Sequence, residues 1–357
     1  MQPSTQPPRR FHGAAAMAFP EPVGIVGGEA ARRAIAQGRA VPLAGGPLAF
    51  TAVLWHRRGE PADLQPVGEI HPQELDALAR PRPPLAGLPL DRPRIMGVVN
   101  VTPDSFSDGG QWFDPVAAIN HGRNLAAAGA DIIDVGGEST RPGADPLDPE
   151  AEQARVLPVV RALAEAGLIV SIDTRNAATM RAAVATGAKI INDVAGLTGP
   201  EAVTTVASLE VPAVLMHMRG DPRTMQDNPT YDHVVLDVAS ALDARVAAAV
   251  AAGIDRRNLV IDPGIGFGKT AAHNLDLIRH LGLLHGLDLP ILVGVSRKSF
   301  IQTVTGTAVP PIRRIPGSLA AGLAAVARGA QLLRVHDVAE TRQALAVQQA
   351  VTMGFEG

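Results

Sequence analysis

Residues 97–110 read GVVNVTPDSFSDGG. The run that leads into them, Ile95-Met96-Gly97-Val98-Val99, is short and apolar, the composition of a strand buried on both faces. The chemistry then turns over within one residue. Asn100, Thr102, Asp104, Ser105, Ser107 and Asp108 crowd a loop that Gly109-Gly110 closes. Pro103-Asp104 and Gly109-Gly110 are ordinary turn material, but Phe106 among oxygen-bearing side chains is not. One such stretch fixes no fold; its repetition does.

Working outward, apolar β-rich runs recur at 94–99, 131–135, 168–172, 188–192, 211–216, 258–262, 290–295 and 330–335. Ala-rich, helix-favouring segments separate them, at 115–129, 149–166, 176–186, 200–208, 232–252, 273–284, 316–328 and 338–350. Eight βα units over roughly 250 residues match the size of a (β/α)8 TIM barrel. A doubly wound open sheet is the competing α/β architecture. The strand exits decide between them. Asn100 and Asp104 follow the first run, Glu138 to Arg141 the second, Asp173 the third, and Asn192-Asp193 close the fourth. His217 follows the fifth, Asp262 closes the sixth, Ser296-Arg297-Lys298 follow the seventh, and Arg334 and His336 mark the eighth. In a barrel these exits share one mouth, where active sites form. Polar groups at every exit describe a pocket, and the expected fold is the barrel, over 94–357, with a small N-terminal α+β appendage.

The 357 residues carry 46% hydrophobic and 19% charged side chains and a formal net charge of −3, so no general attraction to nucleic acid or an anionic membrane is implied. Zero cysteines exclude a disulfide scaffold, thiolate zinc and a cysteine nucleophile. No apolar run approaches the roughly 18 residues that a membrane span needs. The start, with Arg9-Arg10 before FHGAAAMAF, has only a superficial likeness to an export signal, because Pro20-Glu21-Pro22 ends the apolar stretch early. Residues 1–20 read as a disordered leader, Met17 as a candidate alternative start, and the protein as cytoplasmic. In 21–93, Glu29–Gln37 and a segment from Pro72 through Leu78 read as short helices, and Ala40–Arg57 as a hairpin around Gly45-Gly46. Pro81, Pro83, Pro84, Pro89 and Pro93 read as an extended linker.

The mouth residues carry a resemblance. NVTPDSFSDGG, IDVGGESTRPGA (133–144), SIDT (171–174), INDV (191–194), DPGIGFGK (262–269), VGVSRKSFI (293–301) and RVHDV (334–338) resemble, in order, the motif set of the dihydropteroate synthase family. The likeness spans 94 to about 350 and says little about the N-terminal region. It implies a TIM barrel that is a sulfonamide target and joins 4-aminobenzoate to 6-hydroxymethyl-7,8-dihydropterin diphosphate. The products are 7,8-dihydropteroate and diphosphate, Mg²⁺ assists, and a homodimer forms through the late helices.

The chemistry of the residues is compatible. A pterin edge offers an exocyclic amine and a ring N–H beside a carbonyl, which Asp173, Asp262 and Asn192 can read with two carboxylates and an amide. In the family these positions hold the pterin, with Thr140, Met216, Phe267 and Gly294 also at the substrate. Of the 32 basic residues only Lys189, Lys269 and Lys298 are lysine, so a lysine here marks a place for a compact ammonium. Lys298 is assigned by the resemblance to the pterin carbonyl side, and Ser299 follows where it can hold the aminobenzoate carboxylate. Lys189 and Lys269 are expected on the surface. Arg334 and His336, on alternate residues, point the same way and, with Asn100 and Arg141, form the expected cation pocket for the diphosphate. Asn100 is the expected Mg²⁺ ligand. Phe106 and Pro142 are expected to form the aminobenzoate slot, with Asp104, Asp108 and Arg141 expected to order the loops. GIGFGKT (264–270) fails both the Walker A and the dinucleotide spacings, and its glycines are expected to let backbone approach the ring. No two histidines fall at ligand spacing on one helix, so no zinc site is expected. His217 reads equally as pterin wall or packing. Two other readings stay open: a methyltetrahydrofolate-dependent methyltransferase barrel, and a non-catalytic pterin-binding paralogue.

Overall fold

Eight parallel strands alternate with helices around a closed wall: Arg94–Asn100, Ile132–Gly136, Val170–Asp173, Ile190–Asp193, Ala213–Met216, Leu259–Asp262, Leu292–Val293 and Leu332–Val335. Each pairs with its sequence neighbour, the eighth also pairs with the first, and a parallel bridge from Ile261 to Ile291 closes the ring. The computed structural model describes residues 18–101, 114–138, 147–220 and 224–355. Among them, no helix is long and apolar enough to cross a membrane.

Strand alternation sets two layers inside this wall. Met96, Ile132, Ile190, Val214, Val260, Leu292 and Leu332 form one apolar cluster within the barrel. Two residues further along the same strands stand Val98, Asp134, Asn192, Met216, Asp262, Gly294 and Arg334, with Asp173 level with Asn192 in the register. The intervening residues, among them Ile133, Ile172, Ile191, Leu215, Ile261 and Leu333, face the helices and join the larger core. The floor of the barrel is therefore oily and the layer above it polar.

Helices fall close to their expected places, with informative exceptions. The expected helix 273–284 ends at Arg279, and Leu281–Leu287 continues as a 3₁₀ turn. Its two glycines explain the break. A Cβ on Gly286 would come 3.0 Å from Pro20, and one on Gly282 would sit 3.4 Å from the Pro22 carbonyl. A short helix, Phe300–Thr305, was not expected; it follows Arg297, whose φ of 59° lies in the left-handed region and turns the chain sharply.

The N-terminal region corrects three expectations. The leader does not reach residue 20, because Phe19 and Pro20 already belong to the strand Phe19–Val23 and pair with His56 and Trp55. The hairpin exists only as Val41–Pro42 against Ala49–Phe50; the chain then changes sheets, and Ala52–His56 lies between Phe19–Val23 and Asp63–Pro66. Thr51 makes the switch, donating its N–H to the Val23 carbonyl. The helices form at Gly28–Ala36 and Pro72–Ala79. Finally, the proline-rich segment is no spacer. Leu85 and Leu90 are buried in the barrel-floor cluster, and the buried Arg82 donates to the carbonyls of Ala77 and His285 and pairs with Asp288. The prolines fix an extended path along which the side chains still bury; composition alone reported only the path.

Candidate active site

Three carboxylates project from the polar layer around one guanidinium. Arg334 Nε donates to Asp134 Oδ2 at 2.6 Å, and its Nη2 donates to Asp173 Oδ2 at 2.6 Å. Asn192 Nδ2 donates to the same Asp134 oxygen at 3.0 Å. The other oxygens, Oδ1 of Asp134 and of Asp173, are buried and have no donor among the described residues. Asp262 is also buried, and its Oδ1 accepts from the Gly264 N–H at 2.7 Å. Burial pushes Asp262 up to about 6, opposed by the Gly264 hydrogen bond and Lys298. Burial likewise drives Asp173 upward, while Arg334 pulls it back.

Lys298 stands over the Phe267 ring, Nζ 4.1 Å from its centroid. Burial, reinforced by Arg334, lowers this ammonium to about 8, with Asp262 and Asp173 holding it up. The whole is a cluster of acceptors and two cations at one rim, with an aromatic face beside it. It fits a flat, donor-rich heterocycle.

Comparison with known proteins agrees with that chemistry. The family model described as pterin binding enzyme matches residues 96–336. This chain belongs to that family. The dihydropteroate synthase of Neisseria meningitidis serogroup B is 50% identical over 268 residues, 73% of this chain and 94% of the relative. A Xanthomonas albilineans dihydropteroate synthase solved with 4-aminobenzoic acid is 54% identical with a TM-score of 0.71, covering 76% of this chain and 98% of that one. The same enzyme solved in complex with 7,8-dihydropteroate gives 50% and 0.68, with the same 76% and 98% coverage.

For a pterin-binding enzyme the site is partly as the sequence predicted. Asp173, Asn192, Met216, Asp262 and Arg334 stand on the inward register of their strands, and Gly294 follows the seventh. Lys298 and Phe267 stand together, Ser299 is exposed just beyond, and Asn100 is half-buried at the end of the first strand. Asp104, Phe106, Asp108, Thr140, Arg141 and Pro142 lie outside the described residues. The stem of the second loop is fixed, since Glu138 accepts two bonds from Arg175, at 2.6 and 3.0 Å, and one from the Leu147 N–H.

Three roles need correcting. Arg334 is not a free cation, because two of its nitrogens are committed to Asp134 and Asp173. His336 is not a cation either: burial, with Arg334 and Arg297 nearby, lowers it to about 3, and Nδ1 lies 3.0 Å from Ser296 Oγ. An anion bound beside it would oppose that shift. Lys269 is no surface lysine, being buried and donating to the carbonyls of Gly264 and Phe267, both at 2.9 Å, and of His217 at 3.2 Å. The loop glycines serve the same fold. A Cβ on Gly264 would lie 1.9 Å from the His217 carbonyl, and one on Gly268 2.3 Å from that of Arg219, so these two admit protein backbone. His217 packs, its Nδ1 accepting from Lys269 Nζ at 3.0 Å. Burial, then Lys269, lowers it to about 3.

Sequence reasoning missed Asp134, although the signal was present: a lone carboxylate two residues after Ile132 in IIDVG, on the inward phase of a buried strand. Lys269→Met tests the loop staple. Removing a donor shared by three carbonyls should destabilise the protein by about 1–3 kcal/mol, read as a lower urea midpoint. An unchanged midpoint would mean that the loop holds without it.

Proposed function

We infer that this chain is a dihydropteroate synthase, a transferase that joins 6-hydroxymethyl-7,8-dihydropterin diphosphate and 4-aminobenzoate into 7,8-dihydropteroate and diphosphate. The observation that carries the reading is the polar layer: Asp134, Asp173, Asp262 and Asn192 collected round Arg334, with two buried carboxylate oxygens that have no donor among the described residues. A buried acceptor without a partner costs about 1–3 kcal/mol. A pterin brings an exocyclic amine and ring N–H to such oxygens, so binding relieves the cost and rejects analogues without those donors.

In the reaction the exocyclic C–O bond breaks and its electron pair leaves with the diphosphate. The amine nitrogen of 4-aminobenzoate supplies the pair for the new C–N bond and releases one proton. Carbon–oxygen cleavage comes first because the electron-rich pterin stabilises the methylene cation, and the fixed carboxylates at the edge of the ring stabilise positive charge there. Lys298 holds the carbonyl side of the ring, and Ser299 supports the aminobenzoate carboxylate. His336 offers a ring N–H to the departing diphosphate. Phe106 and Pro142 flank the amine, with Thr140 at the substrate, and Asp104, Asp108 and Arg141 organise the loops that exclude water. Mg²⁺ fits the donor set, because Asn100 offers a hard amide oxygen at the rim and this ion keeps mostly water and phosphate oxygens. Asn100 would hold it, and bound there it would neutralise charge on the diphosphate. A second copy is the proposed partner of the late helices, where Val347 and Val351 stand exposed four residues apart on Val338–Met353.

The test is diphosphate release from the pterin diphosphate with Mg²⁺, with and without 4-aminobenzoate. Release should depend on the amine and match dihydropteroate formed mole for mole. A flat trace alongside intact pterin binding would leave the non-catalytic reading instead.

A further inference from the structure

Away from the mouth, the seam between the N-terminal sheet and the barrel gathers a separate set of metal-capable side chains. Glu21 comes from the strand Phe19–Val23, His56 from Ala52–His56, and His280 caps the helix Ala271–Arg279. One ligand atom from each lies within 4.8 Å of the others. His56 Nε2 is 2.7 Å and His280 Nδ1 3.0 Å from the same Glu21 oxygen, and His280 Nδ1 is 3.2 Å from the second oxygen. The imidazoles meet edge to face with centroids 5.7 Å apart. Sequence separations of 35 and 259 residues explain why no local spacing announced the group.

The chemistry of the set is selective. Two imidazoles and one carboxylate form the N₂O donor group that suits a borderline ion such as Zn²⁺, whereas Mg²⁺ and Ca²⁺ favour all-oxygen shells. Tetrahedral bonds of about 2.0–2.1 Å hold ligand atoms about 3.3 Å apart. The two imidazole–carboxylate distances, 2.7 and 3.0 Å, need to open by only a few tenths of an ångström to reach that spacing. Both imidazoles already converge on one carboxylate, which requires a shared proton on each contact or a single cation in their place. The position is also held by the fold. Gly282 and Gly286, in the turn that follows His280, face the strand Phe19–Val23 closely, a Cβ on Gly286 coming 3.0 Å from Pro20. Side-chain exposures of 8% for Glu21, 12% for His56 and 31% for His280 leave the last as the open side, where water completes the shell.

We propose that Glu21, His56 and His280 form a binding site for a zinc-class divalent ion that clamps the N-terminal sheet to the barrel. The ion joins three segments that otherwise meet only through hydrogen bonds and packing, so its effect is on stability.

The full-length protein, stripped with EDTA, is titrated with ZnCl₂ alone. One equivalent should bind by calorimetry. The Tm should rise by about 3–5 °C when Zn²⁺ exceeds its dissociation constant a hundredfold. Co²⁺ in place of Zn²⁺ should give the visible d–d bands of a four-coordinate centre. His280→Ala, at the most exposed ligand and so the mildest to fold, should abolish the equivalent, the Tm rise and the bands, and Glu21→Gln should do the same. Absence of binding to the unaltered chain, or the same equivalent and Tm rise retained in His280→Ala, overturns the site.

Discussion

Arg334→Ala should lower kcat/KM for diphosphate release by at least about 100-fold and destabilise the protein by about 3–5 kcal/mol. Both losses have one cause. The guanidinium is the cation that Asp134 and Asp173 share, at 2.6 Å each, and without it two buried carboxylates repel each other with no compensating charge. They would respond by taking up a proton, and a protonated carboxyl no longer accepts from both pterin donors. Arg334→Lys keeps the charge but not the fork that bridges two acids, so it should recover most of the stability and little of the turnover. Urea unfolding and coupled diphosphate assays of both variants give the comparison. If the lysine variant restored both equally, charge alone would explain the residue and the bridging geometry would be irrelevant.

The second large effect is at Asp262. Asp262→Asn should weaken pterin binding by about 10²–10³-fold, since hydrogen bonds to a charged acceptor are worth about 1.5–3 kcal/mol each. The fold should survive, because an amide oxygen can still accept from the Gly264 N–H. The same residue predicts a pH response. Its ionised form, which accepts from the pterin, appears only as pH climbs through about 6, so affinity should fall below that pH. Stability of the unliganded protein moves the other way. The folded carboxyl sits above its ordinary 3.8, so its contribution is complete below about pH 4 and is lost as pH rises through about 6. Calorimetric binding of a pterin analogue and thermal melts across that range, on protein with and without the substitution, check both directions. An asparagine variant that kept the acid-side loss of affinity would assign it to another group.

The barrel was legible because strand and helix periods differ and because several inward strand faces change from apolar to polar within two residues. Ile132 to Asp134, Ile190 to Asn192, Val260 to Asp262 and Leu332 to Arg334 all make that step. What stayed hidden was pairing. A sequence names Arg334 as a cation but does not say that Asp134 and Asp173 already hold it. It names His336 as titratable but not that burial lowers it to about 3. Lys269 looked like surface because lysine usually is; only the folded loop shows three carbonyls turned toward its ammonium. The Glu21–His56–His280 group was invisible for the plainest reason, that nothing in a linear chain ranks residues so far apart as neighbours.

The seated pair Leu85 and Leu90 means that likeness to relatives and physical completeness part company in this protein. The family model starts matching at residue 96, yet a chain begun there would have no stopper in the end opposite the mouth. Met96, Ile132, Val260 and Leu332 would line an oily hole open to water, and such a fragment would tend to stick to its own kind rather than stay a monodisperse enzyme. The smallest self-sufficient piece is therefore longer than the stretch that the family model marks out.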